Sequence, residues 1–244
     1  MSAPTITYPR RKVIRGILKR LSRAILSTLT HFEISGQENL PGGGPLLLVS
    51  NHFNYLDPLA LIGGMPWTIE FMGGFRMPNA PSSVTWLPRL YGTLPVHRGT
   101  VSRQALLSAQ SVLEQNGVLG IFPEGGSWAS VLRPARPGAA LLATRTTAHI
   151  LPVGLDGLID VFPALRTGRR AHIQMRIGKP FGPFFLADHG RVERPQLEEI
   201  GHEIMRRIAD LLPPERRGHY SPDPRLRSAA AAAAIYPWDG HPEQ

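Results

Sequence analysis

His52 and Asp57 stand five positions apart in the segment Asn51-His52-Phe53-Asn54-Tyr55-Leu56-Asp57, directly after the apolar run Leu46-Leu47-Leu48-Val49. Such a run reads as a buried strand, so the histidine sits at a strand end. A short loop can then fold the carboxylate back onto the imidazole and fix the tautomer with Nε2 facing outward. A pair of this kind can act as a general base on a hydroxyl, because the carboxylate orients the ring and stabilises the imidazolium formed as the proton moves. Asp57-Pro58 also has the form of a helix start, with Asp as N-cap and Pro at the first helical position. The two roles are compatible. On spacing alone the pair is a weak signal, since a histidine and an aspartate often fall five positions apart by chance.

The surrounding elements decide whether such a pair is positioned. Pro41-Gly42-Gly43-Gly44-Pro45 is a turn leading into the strand, and Leu59-Ala60-Leu61-Ile62 continues a helix after Pro58. Periodicity predicts a helix over 102–116, a strand over 118–122, a helix over 139–146 and strands over 150–155 and 172–177. A further amphipathic helix is predicted over 195–212, with Leu197, Ile200, Ile204, Ile208 and Leu211 on one side. Alternation of this kind predicts an α/β fold, a mostly parallel central sheet flanked by helices.

Three later blocks keep company with the first: Gly92-Thr93-Leu94-Pro95-Val96-His97-Arg98, then Ile121-Phe122-Pro123-Glu124-Gly125-Gly126-Ser127, then Ile150-Leu151-Pro152-Val153-Gly154. In order and spacing the four blocks resemble the glycerolipid acyltransferase family, which contains the 1-acylglycerol-3-phosphate acyltransferases, over residues 32–179. The resemblance implies a glycerol-3-phosphate acyltransferase-like fold, with His52 as base and Asp57 as its orienting partner. It implies that Arg98 binds the acceptor's phosphate, a task suited to its planar fork of donors. Glu124 and Gly125 would help to hold the acceptor. The family commonly carries Thr or Ser after the Glu-Gly pair, whereas this chain has Gly126 and brings a hydroxyl one place later, in Ser127. Gly125-Gly126 could let backbone N–H groups approach a phosphate, or could simply form a tight turn. Arg133 and Arg136 lie where the family places a basic stretch leading into a helix, so they are secondary phosphate candidates beside ordinary surface arginines. His97 and His149 have no carboxylate at a recognisable spacing and are not expected to be catalytic.

The reaction implied moves a fatty acyl group from acyl-CoA or acyl-carrier protein to the hydroxyl of a lyso-phospholipid, first of all 1-acylglycerol-3-phosphate, giving phosphatidic acid. Other acceptors, a lyso-ornithine lipid, a glycolipid or another lyso-phospholipid, stay open because of Gly126. The thioester donor is a substrate, and neither a cofactor nor a metal is expected.

Composition excludes several other classes. The chain of 244 residues has no Cys, which removes disulfides, Cys-ligated zinc and thiol nucleophiles. No apolar run approaches the roughly 20 residues needed to span a bilayer. A formal charge of +9 calls for an anionic partner. No RNP-like, zinc or helix-turn-helix signature points to nucleic acid, and no Gly-x-Ser-x-Gly elbow points to a serine hydrolase.

Part of that charge is concentrated in residues 8–30, where Arg10, Arg11, Lys12, Arg15, Lys19, Arg20 and Arg23 occur with no acidic residue. Val13, Ile14, Ile17, Leu18, Leu21, Ile25 and Leu29 interleave at helical spacing. This is the pattern of a helix lying in the headgroup region of an anionic membrane, or of an amphipathic helix packed on the core with a solvated basic face. A non-catalytic membrane-binding scaffold would need only this segment. The division expected is 1–30 as a basic amphipathic, membrane-associating segment, 31–212 as the catalytic domain and 213–244 as a Pro-, Ala- and Arg-rich tail. The protein would sit peripherally or monotopically on the cytoplasmic face of a membrane.

Overall fold

A computed structural model describes residues 6–74, 80–96, 103–184, 193–233 and 235. Seven strands form one sheet among them, in the order β1-β7-β6-β2-β5-β3-β4. These are β1 (Thr30–Ser35), β2 (Leu46–Ser50), β3 (Ile69–Gly73), β4 (Leu94–Pro95), β5 (Val118–Ile121), β6 (His149–Asp156) and β7 (Ala171–Ile177). Every neighbouring pair is parallel except β6 and β7.

The centre of this sheet is β2, with all five residues buried between β5 and β6. Side chains alternate between faces along a strand, so Leu47 and Val49 enter one core and Leu46 and Leu48 the other. Helices α4 (Arg103–Glu114), α5 (Pro137–Arg145) and α7 (Arg194–Ala209) cover the first face through Val112, Leu142 and Ile204. Helices α1 (Lys12–Leu29) and α2 (Asp57–Gly64) cover the second through Leu26 and Leu61. A strand buried on both faces has no polar side to show, which is why β2 reads as an unbroken apolar run.

The first helix packs in an unusual sense. It turns Arg15, Ser22 and Leu26 to the protein and leaves Val13, Ile17 and Leu21 at 76%, 57% and 53% exposure. The inward face is therefore largely polar. Ser22 Oγ donates to the Leu59 carbonyl at 2.7 Å and Arg23 Nε to the Gly63 carbonyl at 2.7 Å. Arg15 is buried and donates from Nη2 to Glu70 Oε2 at 2.7 Å, from Nη1 to Oε1, and from Nε to the Tyr91 carbonyl at 2.9 Å. Arg10 makes a second ion pair to Glu70 at 2.7 Å. Burial alone would push the Glu70 carboxyl up, yet Arg15 and Arg10 together hold it below its ordinary value.

Removing one member of a buried pair leaves the other charge poorly compensated, at a cost of about 3–5 kcal/mol. Arg15→Ala should therefore lower the urea midpoint of the whole domain. An unchanged midpoint would show that α1 is held by its other contacts.

The Pro-, Ala- and Arg-rich composition beyond Pro213 predicts a tail, but its described part is folded onto the domain. Helical turns at Pro214–Arg216 and Gly218–Tyr220 precede α8 (Pro224–Ala233), and Ser221 and Ala230 are buried. Arg227 Nη1 donates to the Ser221 carbonyl at 2.7 Å. Likewise α1 is not a segment apart, since its polar side is bonded to α2 and, through Glu70, to β3. Helix α3 (Leu87–Tyr91) contributes the Tyr91 carbonyl that Arg15 uses, and α6 (Val161–Arg166) packs against β7. No helix among the described residues is long and apolar enough to cross a membrane.

Candidate active site

In an open sheet with parallel strands, the chemistry collects beyond the strands' carboxyl ends. Here β2 ends at Ser50 and delivers Asn51 and His52, while its neighbour β5 ends at Ile121 and delivers Phe122, Pro123 and Glu124. Asn51 is buried and locks the loop to β6, accepting from the Leu155 N–H and donating to the Leu155 carbonyl, both at 2.8 Å. His52 thus leaves the sheet from a fixed point.

The loop then folds back, as its spacing allows. Asp57 Oδ2 lies 2.9 Å from His52 Nδ1 and accepts from the N–H groups of Phe53 and Asn54 at 2.7 and 2.8 Å. With Nδ1–H donating to the carboxylate, Nε2 is the ring's basic nitrogen. Asp57 is not an N-cap. Leu56 holds that position, Asp57 opens α2, and the carboxylate serves the loop instead of the helix's own N–H groups. Its burial pushes the carboxyl above the ordinary aspartate value, against the pull of His52 and the two backbone N–H groups. Phe122 stacks on the imidazole, with ring centroids 4.1 Å apart and planes inclined by 19°. One face of the ring is packed and its edge is tethered.

Glu124 closes the arrangement from below. Its Oε1 accepts from the His52 N–H at 2.9 Å, and its Oε2 accepts from Arg133 N at 3.2 Å and Nε at 3.3 Å. The resemblance implies that Glu124 helps to hold the acceptor; in the described geometry its two oxygens accept from the His52 backbone and from Arg133. Burial pushes it up to about 7, opposed chiefly by Arg133. As pH falls through that value Glu124 takes up a proton and loses its charge-assisted hold on His52.

Arg133 is buried rather than displayed as a surface phosphate ligand. Besides Glu124 it donates to the Gly126 carbonyl and lies 3.7 Å above the Trp128 ring. The same indole accounts for Gly126: a Cβ there would meet Trp128 Cζ3 at 1.9 Å. At the position where the resemblance leads one to expect a hydroxyl residue, an aromatic ring lies against the glycine. Gly125 adopts φ +81°, the left-handed region that glycine enters freely. Ser127 is buried beside it at 7% exposure. Arg136 is half-buried at the start of α5, where its N–H donates to the Pro123 carbonyl at 2.7 Å. Arg98 and His97 lie outside the described residues. His149 is exposed at the amino end of β6, the opposite edge from His52.

Three site residues were not marked by sequence reasoning: Asn51, Phe122 and Trp128. Asn51 and Phe122 do carry a signal, since each is the first residue after a buried strand. Trp128 carries one only in retrospect, as the neighbour that requires glycine at 126.

The sequence model of the Acyltransferase family matches residues 31–156, just over half of the chain. The chain belongs to the acyltransferase family. It is 28% identical over 174 residues to the chloroplastic 1-acyl-sn-glycerol-3-phosphate acyltransferase BAT2 of Brassica napus, covering 69% of this chain and 49% of that protein. It is 26% identical over 132 residues to the 1-acyl-sn-glycerol-3-phosphate acyltransferase of Borreliella burgdorferi, covering 53% of this chain and 52% of that one. The chain thus spans about half the length of the curated relatives it matches. The crystal structure of the 1-acyl-sn-glycerophosphate acyltransferase PlsC from Thermotoga maritima shares the fold, with a TM-score of 0.56 at 20% identity over 82% of this chain and 80% of that one.

Proposed function

We propose that this chain is an O-acyltransferase that moves a fatty acyl group from the thioester of acyl-CoA or acyl-carrier protein to the hydroxyl of a lyso-phospholipid. The observation that carries the reading is His52 Nδ1 held at 2.9 Å from Asp57 at the carboxyl ends of β2 and β5. His52 Nε2 removes the acceptor's hydroxyl proton as the oxygen attacks the thioester carbonyl. The tetrahedral adduct collapses with cleavage of the C–S bond, and the imidazolium returns the proton to the leaving thiolate. Asp57 stabilises the imidazolium meanwhile. No covalent acyl-enzyme and no cofactor takes part.

The names of the two curated relatives support 1-acylglycerol-3-phosphate as acceptor and phosphatidic acid as product. Arg98 is the proposed phosphate ligand, with Arg136 second. The indole over Gly126 is the observation that favours another acceptor, such as a lyso-ornithine lipid, a glycolipid or a different lyso-phospholipid. A panel of these acceptors, each offered with coenzyme A and carrier-protein thioesters, tests the reading. Ester formation with a lyso-lipid supports it, and thioester hydrolysis without transfer to any of them refutes it.

The exposed stripe of α1 supports placement on an anionic membrane surface, peripherally or monotopically, and the cytoplasmic face is the proposed side. Val13, Ile17, Leu21 and Ile25 enter the headgroup boundary while neighbouring cations meet lipid phosphates. Because this stripe is not what attaches α1 to the domain, Ile17→Asp with Leu21→Asp should reduce sedimentation with anionic vesicles about tenfold or more while the urea midpoint stays put. Unchanged sedimentation would remove the helix from the membrane contact.

A further inference from the structure

The segment after α7 lies outside the 31–156 stretch that defines the family, yet it reaches the Glu124 loop from behind. Leu132, fully buried, is bonded to it through both of its backbone groups. Its N–H donates to the Arg216 carbonyl at 3.0 Å, and its carbonyl accepts from the His219 N–H at 3.0 Å. Gly218 sits between these two bonds with φ +46°, and a Cβ there would come within 2.3 Å of the Leu132 carbonyl oxygen. The segment is itself anchored. Arg216 pairs with Asp156 at 3.3 Å and donates to the Ser130 carbonyl at 3.3 Å. The Tyr220 hydroxyl lies 3.0 Å from His202 Nδ1 and meets the backbone of Ala135. Contacts thus fall on Ser130, Leu132 and Ala135, on both sides of Arg133.

We propose that the segment Pro214–Ser221 is a positioning element of the site: by gripping the backbone around Arg133 it holds that guanidinium against Glu124, and so holds the carboxylate that fixes the His52 N–H. This rests on the acyl-transfer reading for its consequence, though not for its geometry. Among the described residues, the titratable and charged groups facing Glu124 are Arg133 from its own loop, Asp57 from the loop after β2, and Tyr220 from this segment, with His52 meeting it through its backbone N–H. Arg133 is the cation among them that opposes the effect of burial on Glu124.

The test uses the full chain with Gly218→Ala, which crowds Leu132, and Arg216→Ala, which cuts the two anchors made by the Arg216 side chain, with Arg216→Lys as the conservative control. The Glu124 carboxyl is followed by pH-difference infrared spectroscopy, its band identified by its loss in Glu124→Gln. Retreat of Arg133 should move the Glu124 midpoint up by about one pH unit in Gly218→Ala and Arg216→Ala, with Arg216→Lys partly restoring it. Turnover should fall about 10- to 100-fold with KM for donor and acceptor little changed, as expected for a misplaced catalytic group. A segment that merely stabilises the fold would lower the melting temperature and leave the midpoint where it is. An unmoved midpoint in folded Gly218→Ala, or in Arg216→Ala should the glycine variant not fold, overturns the proposal. If the unaltered chain transferred no acyl group, the functional reading would fail while the infrared result still decided the positioning role.

Discussion

His52→Ala should abolish thioester-dependent acyl transfer, lowering turnover by about 10³-fold or more, near the upper range for loss of a general base. The size of the effect follows from what the imidazole alone provides. Nothing else among the described residues near it combines a basic nitrogen, an orienting carboxylate and a packed face; Asp57 and Phe122 are already committed to the ring. The fold should survive, because Asp57 keeps its bonds to Phe53 and Asn54 and Glu124 keeps its bond to the backbone N–H at 52. Circular dichroism and vesicle sedimentation unchanged beside lost turnover would separate an enzyme from a membrane-binding scaffold. Retained turnover would remove His52 from the mechanism.

Asp57→Asn is the second large effect. The amide is nearly isosteric, so the loop can still offer an oxygen to the Phe53 and Asn54 N–H groups. What disappears is the charge that stabilises an imidazolium and the preference for Nδ1–H. Loss of the corresponding carboxylate function in a histidine-based site costs about 10⁴-fold, and we expect about 10³ to 10⁴ here. Substrate KM values should change little, since Asp57 is buried behind the ring at 1% exposure. A variant with near-normal turnover would reduce Asp57 to a loop-forming residue.

Much of this arrangement is legible in sequence because it rests on local rules. The run Leu46-Leu47-Leu48-Val49 marks a doubly covered strand, and the short loop up to Asp57-Pro58 lets a carboxylate return to the preceding histidine. What was not legible depends on partners distant in the chain. β3 contains Glu70, a charge that argues against a buried strand until Arg15 and Arg10 are seen to meet it. β1 alternates in burial at the sheet's edge and offers too few apolar residues to stand out. β7 was anticipated as a strand, but periodicity carries no direction, and its antiparallel pairing with β6 had no sequence sign.

The same limit applies to the charged residues of the site. The apolar stripe of α1 was evident, while the side of the helix that faces the protein was settled by Arg15 seeking Glu70. Arg133 looked like a surface cation because its partner lies nine residues back on a loop whose path only the fold defines. Composition beyond Pro213 suggested a tail, since a single glycine fitting under a backbone carbonyl leaves no compositional trace. Gly126 shows the reverse case, a departure visible in sequence whose neighbour, the Trp128 ring, appears only in three dimensions.

A single-turnover experiment with radiolabelled acyl thioester and 1-acylglycerol-3-phosphate tests the central claim most directly. Direct transfer by a His52 base predicts that label passes into phosphatidic acid without appearing on the protein, and that His52→Ala leaves it on the thioester. Label accumulating on the protein before product, or passing to product at an undiminished rate in His52→Ala, would contradict the account.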